Sequence, residues 1–411
     1  MDYSEALDYI HSLSVFGSVL GLERIEELTK ALGNPQDNLK FIHVAGTNGK
    51  GSTCTMIAEI LTAAGYKTGL YTSPFVIDFR ERIQINGKYI EQEELARLTE
   101  QVKQTGVHVT EFEFITALAF LFFKQQNCDF VILETGLGGR FDATNVINSP
   151  ICSVITKIDY DHTAYLGETL SKIATEKCGI IKQSPTVCYP LQEDEAFKTI
   201  RQKANRLIVP KTDELKIIKN SELGNTFIYK GKEYTTALSG VHQVYNAITA
   251  IEAVCLSGIA VDEKAIKKGI ENATIPARME LISKKPFTVL DGAHNPDGAA
   301  ALASYMEGFN GRIIGICGMM ADKNCEDFLK KVLPFVKKLI TVTVKENPRT
   351  ESAERLAELS QKYCKEVKTA DSYEEAVQKA LCELKENEAL FVFGSLYLAG
   401  GIRDLLISRL K

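Results

Sequence analysis

The sequence predicts two α/β domains, each an open and mainly parallel sheet with helices on its faces. Three observations carry that prediction. The chain has 411 residues, more than one hydrophobic core usually serves. Short apolar runs alternate with helical stretches from residue 40 to 155, as strand, helix, strand does in a parallel sheet. The same alternation restarts near residue 288, beyond an irregular stretch, Ile275-Pro276-Ala277-Arg278.

The first forty residues look helical through LDYI and VLGLERIEELTKAL, with a break at Gly33-Asn34-Pro35. Lys40 to Ala45 reads as a buried strand, followed by a glycine-rich turn and a helix from Ser52 to Ala64. Gly69 to Thr72 is a short strand, Phe112 to Lys124 a helix, and Phe130–Glu134 and Ile151–Ile155 are further strands. LIVP, LKIIKN and TFIYKGKEY, between residues 206 and 236, read as short antiparallel strands added beside the main sheet. Helices over His242–Cys255 and Asp262–Asn272 complete a first domain at 1–274, with a hinge at 275–279. The second domain, 280–411, is a smaller Rossmann-like α/β unit. Its expected strands are 288–291, 313–317, 339–343 and 389–393, and its helices 297–308, 325–336, 350–363 and 373–386.

Composition narrows the function. Hydrophobic residues make up 45% and charged residues 25% of the chain, as in ordinary globular proteins. A net charge of -5 gives no global positive field for a polyanion, so no nucleic-acid partner is expected. The start, MDYSEALDYIHS, has no basic stretch before an apolar core, unlike a signal peptide. FITALAFLFF is too short to span a bilayer and reads as a buried helix. The ten cysteines are dispersed and form no CxxC pair. They read as free thiols in a reducing compartment, and a cytoplasmic location is expected.

Gly46-Thr47-Asn48-Gly49-Lys50-Gly51-Ser52-Thr53 lies between a strand and a helix, the context a phosphate-binding loop requires. The glycines let backbone N–H groups turn inward, and the helix start adds partial positive charge. Lys50 would reach the β- and γ-phosphates, and Ser52 or Thr53 could assist a metal. Gly51 separates the lysine from the serine, unlike GxxxxGK[ST].

Glu134 closes an apolar strand and is followed by Gly136-Leu137-Gly138-Gly139, where open α/β sheets place ligand contacts. Magnesium takes hard oxygen ligands and keeps waters, so one carboxylate with a hydroxyl and phosphate oxygens is a sensible set. A helix cap or solvated loop acid is the bland reading of Glu134, and a cap histidine that of His162. Lys177 falls at the end of a helix stopped by Gly179, where a lysine is ordinarily a solvated C-terminal charge.

Later motifs add to the loop: Thr72-Ser73-Pro74, Glu81-Arg82-Ile83, the run from Glu134 through Asn145, Asp161-His162, Glu176-Lys177-Cys178-Gly179-Ile180, His242 through Ala247, Pro276 through Glu280, and Asp291 through Pro296. In order and spacing they resemble the Mur ligase superfamily, specifically its folylpolyglutamate synthase and dihydrofolate synthase branch. The resemblance implies ATP binding by residues 46–53 with Asn246, Arg278 and Asp291. It implies two magnesium ions, bridged by Glu134, with Ser73 on one and His162 on the other. It assigns catalytic roles to Lys50, His162 and Lys177, the last carbamylated so that a cation becomes a carboxylate-like group. Phe75, Arg82 and His294 are implied substrate contacts, and Ser395 lies in the segment expected to receive the free carboxylates of glutamate.

The implied reaction joins L-glutamate to a reduced folate, or to dihydropteroate, through an acyl phosphate made from ATP, by a monomeric enzyme. Because an acyl phosphate hydrolyses when wet, closure of the second domain is expected to exclude water. Two departures stand out: Phe75 replaces the usual histidine after Ser-Pro, leaving pteroate preference open, and Ala277 replaces the usual glycine before Arg278, which trims hinge flexibility. A dihydrofolate synthase with little polyglutamylation shares every motif. A phosphate-loop switch or kinase gives no reason for Glu134, His162, Lys177 and a hinge arginine together, and an NAD-binding module would carry GxGxxG.

Overall fold

The computed structural model describes all residues except 17–20, 222–223, 310, 322, 346–348 and 411. They divide into two compact units, Met1–Ile218 with Thr226–Thr236 and Gln243–Ala273, and Lys219–Asn225 with Ala237–His242 and Thr274–Lys411.

The first unit is built on an eight-stranded sheet among the described residues: β1 (Phe41–Ala45), β2 (Thr68–Tyr71), β3 (Ile83–Ile85), β4 (Lys88–Tyr89), β5 (Phe130–Glu134), β6 (Cys152–Ile155), β7 (Thr186–Cys188) and β8 (Leu207–Ile208). Their order is β4-β3-β2-β5-β1-β6-β7-β8. Only the β2/β3 and β3/β4 pairs are antiparallel. Parallel strands covered on both faces need near-continuous apolar runs, and FIHVA and FVILE are buried at every position. Val44 pairs with Glu134 and Ala45 with Ile155, so the carboxyl ends of β5, β1 and β6 are level. Ligand-binding loops of an open α/β sheet leave from that edge.

The run FITALAFLFF lies in the helix Glu111–Gln125, which packs under the sheet and buries Phe120 and Phe123 completely. A capping box starts it, with Thr110 and Glu113 satisfying each other's backbone N–H groups. Glu113 also takes a two-pronged contact from Arg24, at 2.9 and 3.1 Å, which fastens the helix Glu23–Ala31 to it. The expected N-terminal helix is interrupted: Tyr3–Ser12 and Glu23–Ala31 are helical, while Val19 and Leu20 of the predicted stretch lie outside the described residues. The predicted break is present, with Gly33 and Asn34 at φ 75° and 48°.

One strand assignment needs correcting. LIVP does not join the antiparallel addition. Its Leu207 and Ile208 form β8, parallel to β7 at the edge of the main sheet. The addition itself is a separate three-stranded sheet of β9 (Leu215–Ser221), β10 (Gly224–Tyr229) and β11 (Lys232–Thr236). Lys230 and Gly231, at φ 50° and 74°, join β10 to β11 as a two-residue hairpin turn. A connection this short forces antiparallel pairing.

Among the described residues the second unit carries a six-stranded sheet: β12 (Glu280–Lys284), β13 (Phe287–Leu290), β14 (Arg312–Cys317), β15 (Val336–Val342), β16 (Glu366–Ala370) and β17 (Glu388–Phe393). The order is β12-β13-β17-β14-β15-β16, parallel except at β12/β13. The four expected strands are all present. β12, β16 and the helix Leu396–Leu410 were not expected. Among the described residues no helix is long and apolar enough to cross a membrane.

Candidate active site

The segment from Gly46 to Gly49 leaves β1 and enters the helix Lys50–Ala63. The N–H groups of Thr47 and Asn48 donate to the Lys157 carbonyl at 2.8 and 3.1 Å. The Thr47 hydroxyl donates to the Asp159 carbonyl at 3.0 Å. These bonds tie the loop to the chain beyond β6. Gly49 sits at φ 84°, and a Cβ there would lie 2.5 Å from Asn246 Oδ1. Only glycine suits both that backbone and that approach. Lys50 opens the helix, and its amine lies 3.4 Å from the Thr47 carbonyl, folded back over the loop. The buried Thr53 hydroxyl, in the first turn, has no hydrogen-bond partner among the described residues. A buried polar atom without a partner calls for an explanation, and beside a phosphate loop a bound ion is one.

Glu134 is buried at the end of β5, with Oε2 3.6 Å from where a Cβ on Gly51 would be. The carboxylate therefore lies alongside the phosphate-loop helix, and it accepts the Ser73 N–H at 3.2 Å. Sequence reasoning missed what shapes the turn after it. Asp142 accepts the N–H groups of Gly136 and Leu137 at 3.0 and 2.8 Å, and that of Thr144 at 3.0 Å. An aspartate followed two residues on by threonine is an Asx-turn signal that could have marked this role.

Lys177 is not a solvated helix-end charge. It is 5% exposed. Its amine donates to the Gly46 carbonyl at 2.8 Å, across 131 residues of sequence. Burial first, and the nearby Lys50 second, push its pKa down to about 7, while Asp161 and Asp142 oppose the shift. The helix end that carries it is interlocked with the turn after Glu134. The Arg140 N–H donates to the Glu176 carbonyl at 2.8 Å, and Asn145 bridges the carbonyls of Arg140 and Gly179. A Cβ on Gly179 would lie 2.3 Å from Arg140 Cα, so the backbones can approach only with glycine there.

His162 stands at φ 50° ahead of the short helix Thr163–Leu166, with its N–H on the Asp161 carboxylate at 2.9 Å. Its ring is 46% exposed and lies 3.7 Å from Asp161 Oδ2. Between β2 and β3, Glu81 organises the loop that bears Ser73 and Phe75. Its carboxylate accepts the N–H groups of Val76, Ile77 and Asp78 at 2.8, 2.8 and 2.9 Å. The Arg82 guanidinium lies over Phe75 at 5.2 Å and Phe79 at 5.7 Å, and its buried Nε has no partner among the described residues. Asn246 and Gln243 face each other on one helix, at 3.1 Å.

The remaining predicted residues belong to the second unit. Asp291 follows β13 and accepts the N–H groups of Met279 and Ala293 at 2.7 and 2.8 Å. Burial raises its pKa, and Arg278 pulls the other way. His294 Nδ1 donates to the Gly292 carbonyl at 2.9 Å, since a carbonyl only accepts. The Ser395 hydroxyl accepts the Tyr397 N–H at 3.1 Å at the start of the last helix. Ala277 takes φ 53°, so its cost is local strain and not only reduced flexibility. Changing Ala277→Gly relieves roughly 1 kcal/mol of left-handed strain, partly offset by glycine's greater unfolded-state entropy. A denaturant midpoint slightly above wild type is expected, and a lower one would contradict the strain.

The donor set suits a divalent metal with a nucleotide: one buried carboxylate and hydroxyl groups beside a loop built for phosphate. Among the described residues no three His, Cys, Asp or Glu side chains cluster, so phosphate oxygens would have to complete the shell. A phosphate loop, a strand-end carboxylate and a buried lysine on one edge of a parallel sheet, in a chain with a second α/β unit, suit the class of ATP-dependent ligases. The chain matches the Mur ligase middle domain over residues 44–254 and the Mur ligase glutamate ligase domain over residues 277–396. It belongs to the Mur ligase family, in the folylpolyglutamate synthase and dihydrofolate synthase branch. The dihydrofolate synthase/folylpolyglutamate synthase of Bacillus subtilis is 37% identical, across 98% of this chain and 99% of that one. Escherichia coli FolC, solved with DHPP and ADP, superposes with a TM-score of 0.89 at 31% identity, covering 100% of this chain and 98% of that one. A bifunctional folylpolyglutamate synthase/dihydrofolate synthase with Mn, AMPPNP and L-glutamate bound gives 0.86 at 30% identity, covering 99% and 98%.

Proposed function

We propose that this chain adds L-glutamate to the γ-carboxylate of tetrahydrofolate and its polyglutamates, releasing ADP and phosphate, and that it also makes dihydrofolate from dihydropteroate. The observation that carries the ligase reading is the convergence of Lys50, Lys177 and Glu134 on the phosphate loop. The second activity is favoured by the similarity to a Bacillus subtilis protein named for both. Rates with dihydropteroate and with tetrahydrofolate, each with glutamate and ATP, test the pairing. Turnover with only one of them would contradict the pairing, and turnover with neither the ligase reading itself.

A carboxylate oxygen is too poor a leaving group for direct attack by an amine. The substrate carboxylate therefore attacks the γ-phosphorus of ATP, and ADP departs. Lys50 would meet the charge that grows on the transferring oxygens, with the N–H groups that open the helix at Lys50 beside it. The glutamate amine then adds to the acyl carbon, and the tetrahedral intermediate expels phosphate. Glu134, Ser73 and His162 would be the protein ligands of two magnesium ions, whose chemistry when bound would be to neutralise phosphate charge. Arg278, Asp291 and Asn246 would hold the nucleotide, and His294 and Ser395 the incoming glutamate. Phe75 and Arg82 present a ring and a cation to the folate. A carbamate on Lys177 would place negative charge next to the loop, and the lowered pKa supplies the neutral amine that captures CO2. Eight of the ten cysteines are buried and all are free, which supports a protein working in the reducing cytoplasm.

The metal assignment gives a direct expectation. Glu134→Gln keeps shape and removes charge, so half-maximal turnover should need a higher magnesium concentration while the fold stays intact. An unchanged magnesium titration would remove Glu134 from the ligand set.

A further inference from the structure

His43, in the middle of β1, is fully buried and has no part in the chemistry described so far. Its Nε2 lies 2.9 Å from the Thr144 hydroxyl. That hydroxyl donates to Asp142 Oδ1 at 2.5 Å, and Asp142 Oδ2 holds the N–H groups of Gly136 and Leu137. An unbroken chain of hydrogen bonds thus runs from the central strand to the turn immediately after Glu134.

The hydrogens in this chain can be counted. Asp142 receives four donated hydrogens, two on each oxygen, which leaves no place for a carboxyl proton. Burial raises its pKa, and those four donors oppose the shift. A hydroxyl has one hydrogen, and Thr144 gives its own to Asp142. His43 must then donate from Nε2. Nδ1 keeps a lone pair, and it is the ring atom without a partner among the described residues. A lone pair is the cheaper group to leave unpaired in a dry interior than an N–H. Burial, with Lys182 second, lowers the pKa of His43 to about 3, in keeping with a neutral ring.

We infer that His43, acting through Thr144 and Asp142, is a positioning residue that sets the turn after Glu134 and so tunes the metal and phosphate site. The inference rests on the ligase reading above. A purely structural network would affect stability alone, so the test reads the site. His43→Leu and Thr144→Val break the chain. His43→Gln puts an amide N–H close to the position of Nε2, and Thr144→Ser keeps the hydroxyl. Mn2+ binding in the presence of ADP, followed by electron paramagnetic resonance, needs no turnover. The breaking variants should bind Mn2+ about tenfold more weakly, the usual effect of losing an outer-shell partner. The conservative variants should bind like wild type, with all melting temperatures close together. Equal Mn2+ affinity across the four variants overturns the inference, as does failure of the conservative pair to differ from the breaking pair. If His43→Leu does not fold, the Thr144 pair decides. Wild-type protein that binds Mn2+ with ADP but shows no folate- and glutamate-dependent turnover would instead defeat the ligase reading.

Discussion

Replacing Lys50 with alanine is expected to lower turnover by about 10²-fold or more, the scale of losing one donor to developing transition-state charge. The amine folds back over the loop, 3.4 Å from the Thr47 carbonyl, where a γ-phosphate would draw it off. Ground-state nucleotide binding should suffer less, because loop N–H groups remain. Steady-state turnover with ADP affinity measured in parallel separates the two. A variant with near-normal turnover would mean that the loop does not hold the reacting phosphates.

Lys177→Ala should be nearly inactive, and short carboxylates such as acetate should restore part of the activity by filling the vacated space. Bicarbonate alone should not, because alanine has no amine to carbamylate. The wild-type lysine has a pKa of about 7, lowered from 10.5 by burial and Lys50. The neutral amine needed for CO2 capture is therefore abundant above that pH and is lost as pH falls through it. Carbamate occupancy, read by native mass spectrometry, should rise with pH across this range. A solvated helix-end lysine would cost only a few tenths of a kcal/mol on substitution. Full activity in the alanine variant would leave Lys177 as a desolvated structural group bonded to Gly46.

Much of the scaffold was legible because parallel strands buried on both faces write themselves as apolar runs. FIHVA and FVILE could hardly be anything else, and their register sets Glu134 beside the phosphate loop. Edge elements were not legible. EVKTA in β16 alternates and is half-exposed, and β8 has only two residues, so neither carries a run long enough to read. LIVP reads as part of the antiparallel addition because nothing local says which sheet an edge strand joins.

At the site, residues on strand ends could be named from position. Lys177 could not be placed from its own neighbourhood, since its burial depends on Gly46, and its approach to that loop depends on Gly179 fitting against Arg140. Family resemblance singled it out where local pattern pointed to solvent. Ala277 shows the converse. Its residue type looked mild, and only the backbone angle reveals that the position favours glycine. The supports supplied by Asp142 and Glu81 lay inside recognisable motifs, but their value comes from backbone N–H groups, which a sequence does not display.

An acyl phosphate is the central intermediate of the proposed reaction, and isotope transfer tests it most directly. Tetrahydrofolate labelled with oxygen-18 in its γ-carboxylate would be incubated with the enzyme, ATP, magnesium and L-glutamate, and the released phosphate analysed by mass spectrometry. One labelled oxygen should appear in phosphate for each glutamate added. Glutamate addition with unlabelled phosphate would contradict the account.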